Sequence, residues 1–187
     1  MSFDSARIAE FAKYEVAYRK TGYRPDKRRL GMQAGFIAEA PGRDGYLDVG
    51  TGHGDMLDRA ERLGFSPVTG TEILPSLLND RVVYAEAHSL PFDDDSFDVS
   101  TAFEVIEHLL PDDDKALCHE LSRVTRQRVI IGANNGSSFA EDGSDLHPNR
   151  RPFEEWDSLF KEWFLGWHVE MLEERPLKHT RVWRMSR

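Results

Sequence analysis

Short apolar runs alternate with amphipathic stretches along most of this chain, and glycine or proline marks nearly every change. Residues 3–20 space Phe3, Ile8, Phe11, Tyr14, Val16 and Tyr18 as a helix would, until Thr21-Gly22 breaks the pattern. A second helix is predicted over residues 27–40, where Pro41-Gly42 ends it. From residue 46 the character changes. Residues 46–49 are short, apolar and followed at once by glycines, as a buried strand would be. Strands are predicted at 66–72, 82–85, 97–102 and 128–132, separated by a helix at 55–63, at most two helical turns at 74–80, and a helix at 112–125 whose first turn is acidic. A polar loop follows at 134–151, longer than an ordinary connection. A helix at 152–164 and two strands at 167–172 and 181–185 complete the reading.

Strands that alternate with helices predict a doubly wound α/β sheet, mostly parallel, with helices on both faces. The last two strands have no helix between them and are expected as an antiparallel hairpin at one edge. The 187 residues, 40% hydrophobic, suit one domain with a single core. Residues 1–44 are expected to form a helical lid or packing segment and residues 45–187 the core.

Charge changes the picture a little. A formal net charge of -9 favours solubility and opposes a broad nucleic-acid surface, without excluding a local basic patch. The single cysteine, Cys118, rules out an intramolecular disulfide and reads as a packing residue on a helix face. The first twenty residues are charged throughout, and no stretch approaches the roughly 18 apolar residues of a membrane span. The cytoplasm is the expected setting. Asp93-Asp94-Asp95 reads as a solvated turn.

The chemistry concentrates at strand ends. Asp48-Val49-Gly50-Thr51-Gly52-His53-Gly54 follows the first strand. In an open parallel sheet, ligands bind outside the carboxyl ends of the strands, and glycine lets them approach the backbone. The spacing is G-x-G-x-G; the third glycine of a dinucleotide fingerprint is replaced by Asp55, and no Gly-Lys-Ser/Thr follows, so neither NAD nor a nucleotide triphosphate is expected. Glu72 ends the second strand 18 residues past Gly54, where a carboxylate can accept hydrogen bonds from ribose hydroxyls, and Ile73 follows it. Glu86-Ala87-His88 follows the third strand and can contact an adenine edge. The fourth strand delivers Phe103 and Glu104 to the same edge.

Together these four elements, from about residue 46 to residue 134, resemble the class I S-adenosylmethionine-dependent methyltransferases. The resemblance implies a Rossmann-like sheet of about seven strands with the last one reversed. It implies that Asp48, Gly50 and Gly52 hold the methionine part of the cofactor, that Glu72 holds the ribose, that Glu86 and Ala87 meet the adenine, and that Phe103 lies near the cofactor; Thr51, Ile73 and His88 are expected beside the cofactor as well. The family often has Asp where this chain has Glu86.

Methyl transfer needs an aligned acceptor and, for a hydroxyl or amine, a base. Glu104, Glu107, His108 and His147 are the candidates. If residues 104–108 are helical, Glu104, Glu107 and His108 share one face, and two carboxylates with an imidazole can bind a divalent metal. That spacing is similar to metal-dependent enzymes that methylate the ribose 2′-hydroxyl at the 3′ end of small RNAs, which add a histidine from a loop after the fifth strand; here His147 lies in such a loop. The other reading makes Glu107 and His108 braces of the helix or walls of the acceptor pocket. Arg150 and Arg151 are either a solvated pair or a clamp for an anionic acceptor. Tyr14, Tyr18, Tyr23 and Arg24 are candidates for a lid. Three functions stand at this point: a small-molecule O- or N-methyltransferase, a metal-assisted enzyme acting on an RNA end or sugar hydroxyl, and a catalytically silent module that binds the cofactor.

Overall fold

The computed structural model describes residues 11–16, 25, 27–177 and 179–187. Phe3, Ile8, Tyr18, Tyr23 and Arg24 of the expected lid lie outside the described residues. Residues 11–16 are helical (α1), and α2 (Lys27–Ala38) follows. The core then runs β1 (Asp44–Val49), α3 (Asp55–Arg62), β2 (Ser66–Glu72), β3 (Val82–Tyr84), β4 (Phe97–Phe103), α4 (Asp113–Val124), β5 (Thr125–Asn134), α5 (Phe153–Trp163), β6 (His168–Leu177) and β7 (Thr180–Ser186).

Seven strands form one sheet in the order β3-β2-β1-β4-β5-β7-β6. The first five pair in parallel, while β7 runs antiparallel to both β5 and β6. The strand order reverses between β1 and β4, so a crevice opens above their carboxyl ends. The edge hairpin expected at the tail is present, though β7 is inserted between β5 and β6.

Alternation along the strands splits the core in two. Leu47 and Val49 of β1, with Val129 and Ile131 of β5, face α4 and α5. Tyr46 and Ile130, one residue out of step, face α2 and α3. On the first face Phe160 stacks on Trp156 and meets Trp183 edge-on, with centroids 5.4 and 5.1 Å apart. On the second, α3 buries Met56, Leu57 and Ala60, while Asp55 and Asp58 in its first turn and Arg59 and Arg62 in its last match the helix dipole.

The segment at 74–80, expected to hold at most two helical turns, has one 3-10 turn, Pro75–Leu77. Two expectations change. No α-helix covers residues 104–108: β4 ends at Phe103, Glu104 adopts a left-handed φ of 56°, and only a 3-10 turn, Ile106–His108, follows. The strand expected at 128–132 extends from Thr125 to Asn134, because β4 pairs with it between Thr125 and Gly132 and β7 between Arg128 and Asn134. Cys118 is buried on α4, as its packing role requires.

Candidate active site

The crevice contains two cavities that meet at Tyr14, Gly50, Glu104 and His108. The first, about 150 Å³, lies over the ends of β1, β2 and β3 and is lined by Glu72, Ile73, Glu86, Ala87 and His88, with Phe11 and Tyr14 of α1 across from them. The second, about 560 Å³, runs from Asp48, Thr51, Gly52 and His53 past Phe103 to the loop carrying Gly136 and His147. The residues expected at the cofactor therefore gather along one crevice. Residues 11–16 form one wall of it, which is as much of the expected lid as is described.

The glycine turn is built for close approach. Gly50, Gly52 and Gly54 have φ values of 67°, 57° and 78°, a region that side chains disfavour. A Cβ at Gly50 would also meet Val105 Cγ2 at 2.6 Å. Thr51 closes the turn by donating its amide to the Thr71 carbonyl at 3.0 Å.

Two buried carboxylates flank the turn. Glu72 accepts from the backbone amides of Gly52 at 3.0 Å and Ile73 at 2.8 Å, and burial raises its pKa despite these bonds. Asp48 accepts from the Thr101 hydroxyl at 2.6 Å. Burial pushes its pKa up to about 6, with the Thr101 hydrogen bond opposing the rise. At the far end, His88 Nδ1 lies 3.6 Å from the Glu86 carboxylate and 3.9 Å from that of Asp113.

Beyond the turn lies a cluster of three. Ligand atoms of Glu107, His108 and His147 all lie within 4.8 Å of one another. Glu107 is fully buried, and neither carboxylate oxygen has a hydrogen-bond partner of ordinary geometry. Burial raises its pKa well above the usual carboxylate range, and the charge of Glu104 adds to the rise. His108 Nδ1 lies 2.6 Å from the Leu146 carbonyl, and His147 Nδ1 lies 2.7 Å from the Gly136 carbonyl. A carbonyl can only accept, so both rings carry a proton on Nδ1 and turn Nε2 away from these carbonyls. Burial, and then the neighbouring His147, lower the His108 pKa to about 4, so its ring is neutral at pH 7.

Glu104 is not in that group. Its carboxylate pairs with Arg29 and accepts from the Thr180 hydroxyl at 2.8 Å. The expected shared helical face fails because no α-helix forms there. Arg150 and Arg151 are half-buried and already engaged by acids: Arg150 grips Asp145 through both terminal nitrogens, and Arg151 pairs with Asp114 and Glu155. Thr101, one of two adjacent hydroxyls in β4, and Asn149, near His147 in the loop, were legible but unweighted signals. Arg29 and Thr180 reach Glu104 from distant parts of the chain, and no local pattern marks them.

Residues 47–131 match the family described as a methyltransferase domain. No curated protein matches the chain in sequence. Among solved structures, it resembles the Burkholderia thailandensis 1,6-didemethyltoxoflavin-N1-methyltransferase, solved with that substrate and S-adenosylhomocysteine, at 15% identity and a TM-score of 0.74, over 100% of this chain and 91% of that one. It resembles the PH0226 protein of Pyrococcus horikoshii at 15% identity and a TM-score of 0.70, over 91% and 97%. It also resembles the methyltransferase domain of bacterial CtHen1 at 21% identity and a TM-score of 0.64, over 86% and 98%. At these identities the shared property is the fold. Among the described residues, no helix is long and apolar enough to cross a membrane.

Proposed function

Because this chain carries the methyltransferase domain of the class I S-adenosylmethionine-dependent methyltransferases, we propose that it methylates a hydroxyl of a small molecule seated in the second cavity, with a divalent cation held by Glu107, His108 and His147. The buried Glu107 carboxylate, without a hydrogen-bond partner of ordinary geometry and grouped with two imidazoles whose Nδ1 atoms are turned to carbonyls, carries this reading. Metal-binding histidines are commonly oriented in this way, through the ring nitrogen that does not bind.

The cofactor fits the first cavity and the turn. Positive-φ glycines leave its edge open, Glu72 presents a buried carboxylate beside Ile73, and Glu86, Ala87 and His88 lie beyond. When bound, S-adenosylmethionine supplies a methyl group already activated by its sulfonium. Asp48 offers a counter-charge to the cationic methionine end. The protein's remaining task is alignment and exclusion of water, which can supply most of the rate gain. Phe103 and Tyr14 wall the junction of the two cavities, where donor and acceptor would meet.

A divalent cation at the three-residue cluster supplies Lewis acidity that favours a deprotonated acceptor hydroxyl. Without one, the neutral His108 ring presents an Nε2 lone pair that can take the hydroxyl proton. An oxygen or nitrogen acceptor without a metal is the reading that remains if the cation is not used. An RNA 3′ end is the alternative acceptor that the sequence resemblance implies; the net charge of -9 and the exposed acids Glu141 and Asp142 at the loop weigh against it.

The test is methyl transfer to a panel of small hydroxylated and aminated acceptors and to RNA ends, with chelator and with added Mn²⁺. Loss in chelator and recovery with Mn²⁺ is expected, and His147→Ala should abolish the recovery. Full activity in chelator would remove the metal from the proposal. Tight S-adenosylhomocysteine binding with no turnover would favour a silent module, and absence of that binding would overturn the whole reading.

A further inference from the structure

His147 sits in the connection between β5 and α5, where nothing regular supports it, yet it meets Glu107 and His108 within ligand distance. A carboxylate outside both cavities accounts for that placement. Asp114, in the first turn of α4, is 1% exposed. Its Oδ2 accepts from Asn149 Nδ2 at 3.0 Å and from Arg151 Nη2 at 2.9 Å. The Asn149 amide group also donates to the Ile106 carbonyl at 3.1 Å, and the Asn149 backbone amide donates to the Glu107 carbonyl at 3.1 Å. On the other side of His147, the Leu146 carbonyl receives the His108 ring.

The loop is thus pinned to the Ile106–His108 turn on both sides of His147. One pin is the His108 ring itself. The other is Asn149, oriented by a buried charge. We infer that Asp114, acting through Asn149, is a positioning residue that sets His147 against Glu107 and His108. An amide in place of the carboxylate would weaken the bonds to Asn149 and Arg151, since charge-assisted bonds are roughly twice as strong as neutral ones. The buried Asn149 amide would then lose its orientation, and His147 would sample positions away from the cluster. The inference rests on the reading of those three residues as one set.

The experiment compares Asp114→Asn and Asn149→Leu with the unaltered protein. Three quantities are read: Mn²⁺ affinity, S-adenosylhomocysteine affinity, and the ring nitrogen NMR signals of the histidines. Both variants should weaken Mn²⁺ at least tenfold and leave S-adenosylhomocysteine affinity within twofold. The His147 ring should change from a single Nδ1–H tautomer to an averaged signal, while exposed His168 on β6 stays constant. If the unaltered protein binds no Mn²⁺ that His147→Ala removes, the metal reading fails, and the NMR signal of His147 alone then decides the inference. Unchanged His147 signals in both variants would overturn it. So would a parallel loss of S-adenosylhomocysteine affinity, which would make Asp114 a general support of the fold.

Discussion

The Thr101 hydroxyl donates to the Asp48 carboxylate at 2.6 Å, and because its one proton is spent there, Tyr46 must donate to it in turn, at 2.7 Å. This chain leads from the core to the glycine turn, and it leaves Asp48 with a pKa of about 6. The folded protein therefore keeps a proton that the unfolded chain releases near 3.8. The contribution of Asp48 to stability is greatest below that value and falls as pH rises towards about 6. Burial of the charged form costs on the order of 3 kcal/mol. Asp48→Asn should accordingly raise the melting midpoint of the ligand-free protein at pH 7. It should weaken S-adenosylmethionine at least tenfold. In the unaltered protein, cofactor affinity measured by calorimetry should rise with pH up to about 6 and level off above it, with proton release on binding in the lower range.

Gly50 faces Val105 with no room between them. Gly50→Ala places a side chain in the left-handed region, at a cost of roughly 1–2 kcal/mol, and drives its Cβ against Val105. Chemical denaturation should show that loss, and cofactor binding should fall with it. Adding Val105→Ala should recover part of the stability and little of the binding, because the strained φ remains.

Glu72 satisfies the amides of Gly52 and Ile73 and also that of Leu74, at 3.3 Å. Glu72→Gln keeps one acceptor oxygen and should lower S-adenosylhomocysteine affinity at least tenfold with a small change in stability. Glu72→Ala leaves buried donors unmatched, at about 1–3 kcal/mol each, and should be destabilising before it is informative about binding. The pair of variants, measured together, separates the two effects.

Glu107 gives a prediction of opposite sign. Its carboxylate is buried without a hydrogen-bond partner of ordinary geometry, so Glu107→Leu should raise the melting midpoint in chelator. With Mn²⁺ at a hundredfold excess over its Kd, the unaltered protein should gain about 2.7 kcal/mol, and the variant should gain nothing. A variant that melts lower in chelator would show that the carboxylate has an unseen partner.

The sheet was legible because short apolar stretches such as Val82–Tyr84 and Val129–Ile131 alternate with amphipathic ones, and because the hairpin lacks an intervening helix. The cofactor end was legible for a related reason: Gly50, Gly52, Glu72 and Glu86 each follow a strand directly, so strand order alone brings them together. The acceptor end was not. Its geometry depends on pairings across long separations, Arg29 with Glu104 and Asp114 with Asn149, that leave no periodic trace. Glu104 illustrates the point. Read locally it belongs to a helical face with Glu107 and His108, but its amide donates to the Gly132 carbonyl at 2.8 Å and its carboxylate goes to Arg29, so the chain turns before a helix can start. Arg151 shows the same limit: its buried partner Asp114 lies far away in the chain, while Glu155 is one helical turn on.

The position of β7 between β5 and β6 bears on how the molecule is made. During synthesis β6 emerges first, yet among the described residues its one partner strand is β7, which comes after it. The parallel strands can assemble while the chain is still growing, but β6 must wait, an unpaired edge open to unwanted pairing. Thr180, the first residue of β7, also bonds Glu104 beside the cavities. The acceptor end of the site is therefore completed last, and a nascent chain able to grip the cofactor would still lack the contacts that shape the acceptor cavity.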